Sequence, residues 1–210
     1  LLWHLKTQAT TTIIKEIIVV DGGSTDNTKD IALHEGVTVL SSEKGRAKQM
    51  NFGAKHANAS ILYFLHADSF PPNSYDRLIF TEVEKGNLAG CFKMKFDSKH
   101  WWLRLAGWLT QFNWKASRGG DQSLFVTREL FNALNGFNEQ FTIYEDIDFI
   151  NKLYSKNQFV VIQEWIITSA RRYHTKGIWK LQYHFWMIYI KKWFGASADE
   201  LYKYYLKHIK

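Results

Sequence analysis

The stretch IIVVDGGSTDNT, residues 17–28, decides the fold. Its run of β-branched residues, without polar alternation, is typical of a strand buried on both faces, and we predict this strand over residues 15–20. The strand delivers the carboxylate of Asp21 to its carboxyl end, where Gly22 and Gly23 allow a tight turn and a close approach to a ligand. The alternative is that Asp21 and Ser24 only cap the following helix, which the sequence predicts over residues 27–35.

Strand-like and helix-like segments alternate outward from this stretch. Further strands are predicted over residues 37–40, 61–66, 88–96, 122–126 and 158–162. Further helices are predicted over residues 45–59, 72–84, 100–114, 128–134, 145–156, 177–194 and 198–209. This order predicts an α/β fold with a mostly parallel sheet flanked by helices, and ligands at the carboxyl ends of the strands.

Composition restricts the class of protein. The chain has 210 residues, of which 46% are hydrophobic and 16% aromatic, and this fits one domain with a sizeable core. The 27 basic against 20 acidic residues give a formal charge of +7, which favours nucleotide phosphates, an acidic lipid surface or nucleic acid as partner, or serves solubility alone. The lone Cys91 excludes an internal disulfide and a cysteine-rich metal site, and it favours a reducing compartment.

Two further stretches in the first half could bind phosphate or metal. Gly45 opens a predicted helix whose first turn carries Arg46 and Lys48, which is either a diphosphate site or an ordinary basic turn. The apolar segment ILYFLHADSF brings His66 and Asp68 to a strand end, where the carboxylate could hold a divalent metal or simply start a turn.

Two stretches in the second half carry clustered charges. Glu145, Asp146 and Asp148 crowd the start of a predicted helix, either as a general base with its neighbours or as complements of the helix dipole. The segment SARRYHTKG, residues 169–177, supplies two arginines and a histidine that could contact phosphate or metal, or form a basic loop.

Taken in order, these stretches resemble the family 2 glycosyltransferases with the GT-A fold. The resemblance rests on VVDGGSTD, FLHADS, GGDQSLFVTRELFNALNGFNE and YEDIDF, and it covers nearly the whole chain. A closer likeness is to a subgroup of small, soluble bacterial members whose pattern carries GRA-QMN-GA, HAD, GDQ and TSARR in this order. The resemblance implies a bacterial, cytoplasmic enzyme that transfers a sugar from a nucleotide-sugar donor, with a UDP-sugar favoured because such members often use it.

The resemblance also implies a role for individual residues. The residues implied in nucleotide binding are Asp21, Gly22, Gly23, Arg46, Arg171 and Arg172. Asp68 corresponds to the last acid of the D-x-D motif, which binds Mn²⁺ or Mg²⁺. His66 stands where the first acid is usual, so His66 and also His174 are weaker candidates for metal ligands.

For the chemistry, the resemblance implies a single displacement with inversion. Asp146 is the expected base that deprotonates the acceptor hydroxyl, with Glu145 as second choice. The metal and the two arginines of TSARR would stabilise the departing diphosphate. The acceptor implied is a glycan or a lipid-linked molecule, and the oligomeric state stays open.

The chain departs from the family at its start. Members normally open with an apolar strand ending in a P-x-x-N-E stretch, whereas this chain begins at what looks like the first helix. We therefore expect a GT-A domain over residues 1–210 that lacks its first strand, with residues 177–210 as a helical C-terminal extension.

Two segments rich in tryptophan leave membrane contact open. Residues 99–115 and 177–194 could lie on the inner face of the cell membrane near a lipid-linked acceptor. Alternatively, they could be core-facing aromatic stripes with snorkelling lysines, which is the interpretation we favour from sequence. No nucleic-acid-binding module is recognisable. The alternatives to a transferase are a nucleotidyltransferase, which would want a basic loop after the first strand, and a non-catalytic nucleotide-sugar-binding or peripheral membrane protein.

Overall fold

The computed structural model describes residues 1–10, 12–119 and 122–210. Within them, a short 3₁₀ turn spans Lys115–Ser117. The α-helices of the described residues are α1 (Leu2–Gln8), α2 (Thr28–His34), α3 (Arg46–His56), α4 (Tyr75–Glu84), α5 (Trp101–Leu109), α6 (Arg128–Ala133), α7 (Glu145–Tyr154), α8 (Arg171–Lys176), α9 (Ile178–Trp193) and α10 (Ala198–His208). The strands are β1 (Ile18–Asp21), β2 (Thr38–Ser41), β3 (Ile61–Phe64), β4 (Ser69–Phe70), β5 (Ala89–Phe96), β6 (Leu124–Thr127) and β7 (Phe159–Thr168).

The strands form two sheets. β1 and β2 pair in parallel as a sheet of two, and the other five strands follow the order β3-β6-β5-β7-β4. In the larger sheet, β5 and β7 are parallel, while β3–β6, β5–β6 and β4–β7 are antiparallel. The α/β class is confirmed, but the sheet is mixed rather than mostly parallel, because β6 enters between β3 and β5 in the opposite direction to both.

The last strand is twice as long as the sequence pattern predicts. The register of β5 against β7 shifts from Phe92 opposite Ile162 to Lys93 opposite Trp165, so Gln163 and Glu164 are absorbed in an irregularity. These two polar residues interrupt the apolar run, which is why the prediction stopped at residue 162. The predicted helix 100–114 ends early for a local reason, since the Thr110 hydroxyl donates to the Gly107 carbonyl at 2.6 Å.

Both faces of the larger sheet are covered. Side chains alternate along β5, so that Cys91 packs in the cluster formed with α3, α6 and α7, and Phe92 packs in the cluster formed with α1 and α4. A third cluster joins Leu181, Leu201 and Ile209 of the C-terminal segment to Phe141, just before α7. The elements that carry the charged motifs are therefore packed onto the sheet from both sides and from the C-terminal end.

The packing of β5 between β6 and β7 leaves no space for a side chain at Gly90. A Cβ atom there would lie 2.4 Å from the Val160 carbonyl oxygen and 2.6 Å from the Phe125 ring. The Val160 carbonyl is held by the sheet and the Phe125 ring by the filled core around it, so an added Cβ displaces one or the other.

We predict that Gly90→Ala lowers the free energy of unfolding by about 1–3 kcal/mol, since overpacking a filled core forces backbone shifts. Denaturant unfolding followed by circular dichroism measures the change. The control is Gly119→Ala, where an added Cβ meets nothing within 4 Å. Equal stabilities of the two variants would contradict the packing described for β5.

Candidate functional site

Asp21 ends β1 and organises the turn that follows it. Its buried carboxylate accepts hydrogen bonds from the backbone of Gly23 at 3.0 Å and of Ser24 at 3.1 Å, and it pairs with Lys29 at 3.2 Å. The Ser24 side chain makes the largest contribution, and together with these backbone groups and Lys29 it outweighs burial and lowers the pKa of Asp21 to about 2. The aspartate therefore stays ionised at physiological pH and holds the turn in shape.

Gly22 is required by the helix that packs beside β1. A Cβ at Gly22 would lie 2.9 Å from the Gln49 side chain, whose amide donates to the Val20 carbonyl at 2.8 Å. Gly23 adopts a φ of +95°, which favours glycine for a different reason. The predicted nucleotide-binding turn is thus attached to α3 through Gln49, to which the sequence analysis assigned no role.

Arg46, the first residue of α3, is the centre of the site. Its Nη2 lies 2.7 Å from Asp146 Oδ2 and 2.5 Å from His66 Nε2, and its Nε lies 3.1 Å from Glu145 Oε1. These contacts join the start of α3, the start of α7 and the segment after β3. Three of the motifs identified in the sequence therefore meet at a single guanidinium group.

The two adjacent acids differ in environment. Glu145 is only 1% exposed, and the Arg46 Nε beside it lacks hydrogen-bond geometry, so the described residues donate no hydrogen bond to this carboxylate. Burial, and secondarily the charge of Asp146, raise the pKa of Glu145 to about 7, against the lowering effect of Arg46. The Asp146 side chain is 14% exposed and turned toward the half-exposed guanidinium. Asp146 is therefore the accessible acid of the pair, with Glu145 buried beside it.

Asn51 fixes the approach to these acids. Its side-chain amide donates to the Phe137 carbonyl at 2.9 Å, and its oxygen accepts from the Phe137 backbone N–H at 3.0 Å. The loop that leads into α7 is thereby pinned to α3. Asn51 lies in the QMN part of the GRA-QMN-GA pattern, but the sequence did not indicate this role. A side-chain amide can donate and accept at once, and this property lets Asn51 bind both backbone groups of Phe137.

The HADS segment meets the TSARR segment. After β3 the chain turns so that β4 pairs with the end of β7, and the buried hydroxyls of Ser69 and Thr168 lie 3.0 Å apart. The Ser169 backbone donates to the Asp68 carbonyl at 3.2 Å, and the Asp97 carboxylate accepts from the Ala170 backbone at 2.5 Å. The exposed Asp68 thus lies beside the start of α8.

The arginines of TSARR go to different places. Arg171 is exposed at the start of α8, close along the chain to Ser169, whose hydroxyl accepts from its backbone. Arg172 donates to the Tyr205 hydroxyl at 2.5 Å and lies over the rings of Phe185 and Tyr205. Arg171 therefore follows closely on the Ser169 backbone that contacts Asp68, whereas Arg172 attaches α8 to the C-terminal helices. A phosphate contact by Arg172 would require its side chain to leave Tyr205 and Phe185.

The donor set suits a metal only in part. Within the described ranges, no group of three or more histidine, cysteine and acidic side chains is placed to hold a metal ion. His66 contacts the Arg46 guanidinium, and His174 is exposed on α8. One exposed carboxylate still fits Mn²⁺ or Mg²⁺ when phosphate oxygens and water complete the coordination.

The GDQ motif is described only at its last residue. Gln122 is buried, donates to the Ser117 carbonyl at 2.9 Å and accepts from the Cys91 thiol at 3.6 Å. Gly120 and Asp121 lie outside the described residues. Beside Gln122, the buried Arg118 donates to the carbonyls of Thr110 and Phe112, both at 2.6 Å, so it anchors the segment that leads to this motif.

Comparisons with known proteins identify the arrangement. The family model described as glycosyl transferase family 2 matches residues 1–158. No curated protein matches the chain in sequence.

Several solved structures share the fold. They include residues 1–349 of TarS from S. aureus, with a TM-score of 0.63, 18% identity and coverage of 82% of this chain and 56% of that one. The mannosyltransferase PcManGT from Pyrobaculum calidifontis, in complex with GDP-Man and Mn²⁺, has a TM-score of 0.61, 17% identity and coverage of 91% and 60%. Glucosyl-3-phosphoglycerate synthase from Mycobacterium tuberculosis, in complex with Mn²⁺ and UDP-glucose, has a TM-score of 0.52, 16% identity and coverage of 77% and 64%. The chain thus spans just over half the length of the TarS structure that it matches.

The buried acid predicts a pH-dependent stability. Because the pKa of Glu145 is raised in the folded state, its neutral form is favoured, and the stability it contributes below about pH 4.5 is lost as pH rises through about 7. Glutamine mimics the neutral acid and does not titrate. We therefore expect the free energy of unfolding of Glu145→Gln, relative to that of the original protein, to increase by on the order of 3 kcal/mol from pH 5 to pH 8. Urea unfolding at both pH values measures this.

The control for this prediction is Glu84→Gln, which removes an exposed carboxylate at the end of α4. It reports the effect of one lost charge without burial. A Glu145→Gln difference that is the same at pH 5 and pH 8 would show that the acid is not held neutral by its surroundings.

Proposed function

The chain belongs to glycosyl transferase family 2, and from this premise we propose that it transfers a sugar from a nucleotide-sugar donor to an acceptor hydroxyl with inversion. The observation that carries the proposal is the contact of Arg46 with Asp146 at 2.7 Å, beside the buried Glu145. It brings together an accessible carboxylate at the start of α7 and, at the start of α3, a side chain suited to bind phosphate. This is the pairing that displacement of a diphosphate by a hydroxyl requires.

Asp146 is the proposed general base. The acceptor oxygen attacks the anomeric carbon, its proton passes to the Asp146 carboxylate, and the bond from that carbon to the diphosphate oxygen breaks with its electron pair leaving on the diphosphate. One displacement of this kind inverts the anomeric configuration and needs no covalent intermediate. The buried Glu145 positions the start of α7 and adjusts the charge beside the base.

Arg46 has two proposed partners in turn. Its guanidinium contacts Asp146 at 2.7 Å, so the carboxylate that the acceptor would need is already paired. A donor diphosphate offers more negative charge and two phosphate groups for a guanidinium to bind, so it competes for Arg46. Donor binding would then release Asp146 for the acceptor, which favours an order in which the donor binds first.

The departing diphosphate has further proposed contacts. Arg171 follows Ser169, whose backbone donates to the Asp68 carbonyl, and Asp68 is the residue that would hold Mn²⁺ or Mg²⁺ together with the phosphates. Such a cation, when bound, offsets charge on the leaving group. Asp21, held ionised in its turn, is the proposed contact of the base or ribose, and Gly22 and Gly23 let the nucleotide approach the backbone.

UDP is the proposed nucleotide, since UDP-glucose is bound in the synthase and UDP-GlcNAc in a TarS complex, whereas PcManGT binds GDP-Man. The acceptor is a glycan or a lipid-linked molecule. We propose a cytoplasmic location, with which a single cysteine, the buried Cys91, is consistent.

We predict that UDP with Mn²⁺ raises the melting temperature, because a ligand that binds only the folded state stabilises it. Asp68→Ala should abolish the metal-dependent part of the shift, whereas Asp199→Ala, which removes an exposed acid from the start of α10, should retain it. A thermal-shift panel of UDP, GDP and ADP with and without Mn²⁺ or Mg²⁺ measures this. The absence of any shift across the panel would count against nucleotide-sugar binding.

We predict that Asp146→Asn keeps the UDP-dependent thermal shift but lowers sugar transfer by about 10²–10⁴-fold, as expected for loss of a general base. The matched variant Asp148→Asn alters an acid on the same helix that pairs with Lys152 at 3.3 Å, and it should retain transfer. Release of UDP from a panel of UDP-sugars, with glycan and lipid extracts as acceptor sources, measures the rate, and NMR of the product gives the anomer. Normal turnover by Asp146→Asn would require another base.

A further inference from the structure

Helix α9 exposes one stripe of large apolar side chains. Residues spaced by 4, 3, 4 and 3 positions fall within an arc of about 80° on a helix, because each residue advances by about 100°. All of these side chains are between 43% and 83% exposed, and they are Trp179, Tyr183, Trp186, Ile190 and Trp193. The buried residues of the helix, Leu181 and Ile188, lie on the opposite side and pack in the cluster that contains Leu201. The stripe is therefore directed away from the core.

Helix α5 carries a second stripe beside the first. Trp101, Leu105 and Trp108 follow the same spacing and are 60%, 39% and 49% exposed. The ring centroids of Trp101 and Trp179 lie 5.8 Å apart, so the two stripes are in contact. Trp102 fills the junction, with its ring 5.4 Å from Trp179 and its indole N–H donating to Gln182 at 3.1 Å. We call the two stripes together the tryptophan face.

This arrangement corrects the interpretation favoured from sequence. A core-facing aromatic stripe would bury its tryptophans. Instead, five of the nine tryptophans of the chain are exposed on this face, and they are Trp101, Trp108, Trp179, Trp186 and Trp193. A surface this apolar and continuous marks an interaction site. Indole rings in particular prefer the boundary between a bilayer and water, where the ring is in an apolar layer and the N–H remains near polar groups.

The surroundings of the tryptophan face are basic. Residues 165–198 contain no aspartate or glutamate, and residues 98–117 contain none either. The basic residues of these two segments are Lys99, Arg104, Lys115, Arg171, Arg172, Lys176, Lys180, Lys191 and Lys192. The charged residues of the two segments that carry the tryptophan face are therefore all basic, which matches an anionic lipid surface.

We propose that the tryptophan face docks the protein on an anionic bilayer, with α9 lying in the plane of the membrane. No helix in the described parts of the chain is long and apolar enough to cross a bilayer. A second copy of the chain is a poorer occupant, because two such faces would bring basic residues together without acids to pair with them.

The tryptophan face adjoins the site of the proposed chemistry. The ring of Tyr189 on α9 lies 5.8 Å from the ring of Tyr144, the residue that precedes Glu145. A docked α9 would therefore keep the start of α7 near the membrane, where a lipid-linked acceptor is found. This orientation rests on the proposed function, whereas the docking does not.

Docking is tested with the whole chain and without donor or acceptor. We expect cosedimentation with vesicles of phosphatidylcholine and phosphatidylglycerol, little with phosphatidylcholine alone, and release in high salt. The triple variant Trp179→Gln, Trp186→Gln and Trp193→Gln should weaken vesicle binding by at least roughly tenfold, since it removes the largest apolar groups of the stripe.

The matched control removes the same number of exposed apolar side chains elsewhere. Trp3→Gln, Ile31→Gln and Leu33→Gln alter residues that are 70%, 62% and 60% exposed on α1 and α2, and this variant should bind vesicles as the original protein does. Circular dichroism verifies that both variants fold. If the triple variant does not fold, the single variant Trp179→Gln replaces it. The readout is then the blue shift of tryptophan emission on vesicle addition, which should be smaller for Trp179→Gln than for the original protein.

Three results would overturn the proposal. They are unchanged binding by the folded tryptophan-face variant, equal binding to neutral and anionic vesicles, and a wild-type dimer that the variant converts to monomer in light scattering without any vesicle binding. The last result would assign the face to a second copy of the chain. A nucleotide-induced thermal shift that persists in any of these cases would leave the proposed function standing.

Discussion

The guanidinium of Arg46 is the interaction on which the site depends. Two adjacent carboxylates lie at the start of α7. Burial, and secondarily repulsion by Asp146, raise the pKa of Glu145, which has no hydrogen-bond partner within the described residues. Arg46 supplies the compensating charge for Asp146 and also contacts His66. Because one side chain joins three elements that are far apart along the chain, the site exists only when α3, α7 and the end of β3 are correctly packed.

The scaffold provides that packing through polar contacts to the backbone. Asn51 pins the loop before α7 to α3. Arg128, at the start of α6, donates to the Ala59 carbonyl and so ties α6 to the segment between α3 and β3. Asp97 receives the Ala170 N–H and so fixes the start of α8 beside the end of β5. Each contact saturates a backbone group at the point where an irregular segment meets a regular one, which limits the freedom of the loops that carry the acids.

The C-terminal helices connect this site to a surface of a different character. Arg172 fastens α8 to Tyr205 of α10, and Tyr189 of α9 touches the residue before Glu145. The inner side of α9 belongs to a core cluster while its outer side is aromatic and exposed. One helix thus contacts the segment that carries the acids and also presents the surface proposed to meet the membrane, so binding at that surface and the orientation of the site are mechanically linked.

The sequence by itself determined the class of fold, most of the elements and the motifs that carry charge, because burial, helix capping and turn residues act over short distances. Strand alternation around β5 and the turn at Asp21 followed from such local rules. Only the tertiary structure decided the direction of β6, the pairing of Arg46 with Asp146, the diversion of Arg172 to Tyr205 and the outward orientation of the tryptophans. These depend on which elements become neighbours, and the same helical spacing of aromatic residues describes a core-facing stripe and an exposed one equally well.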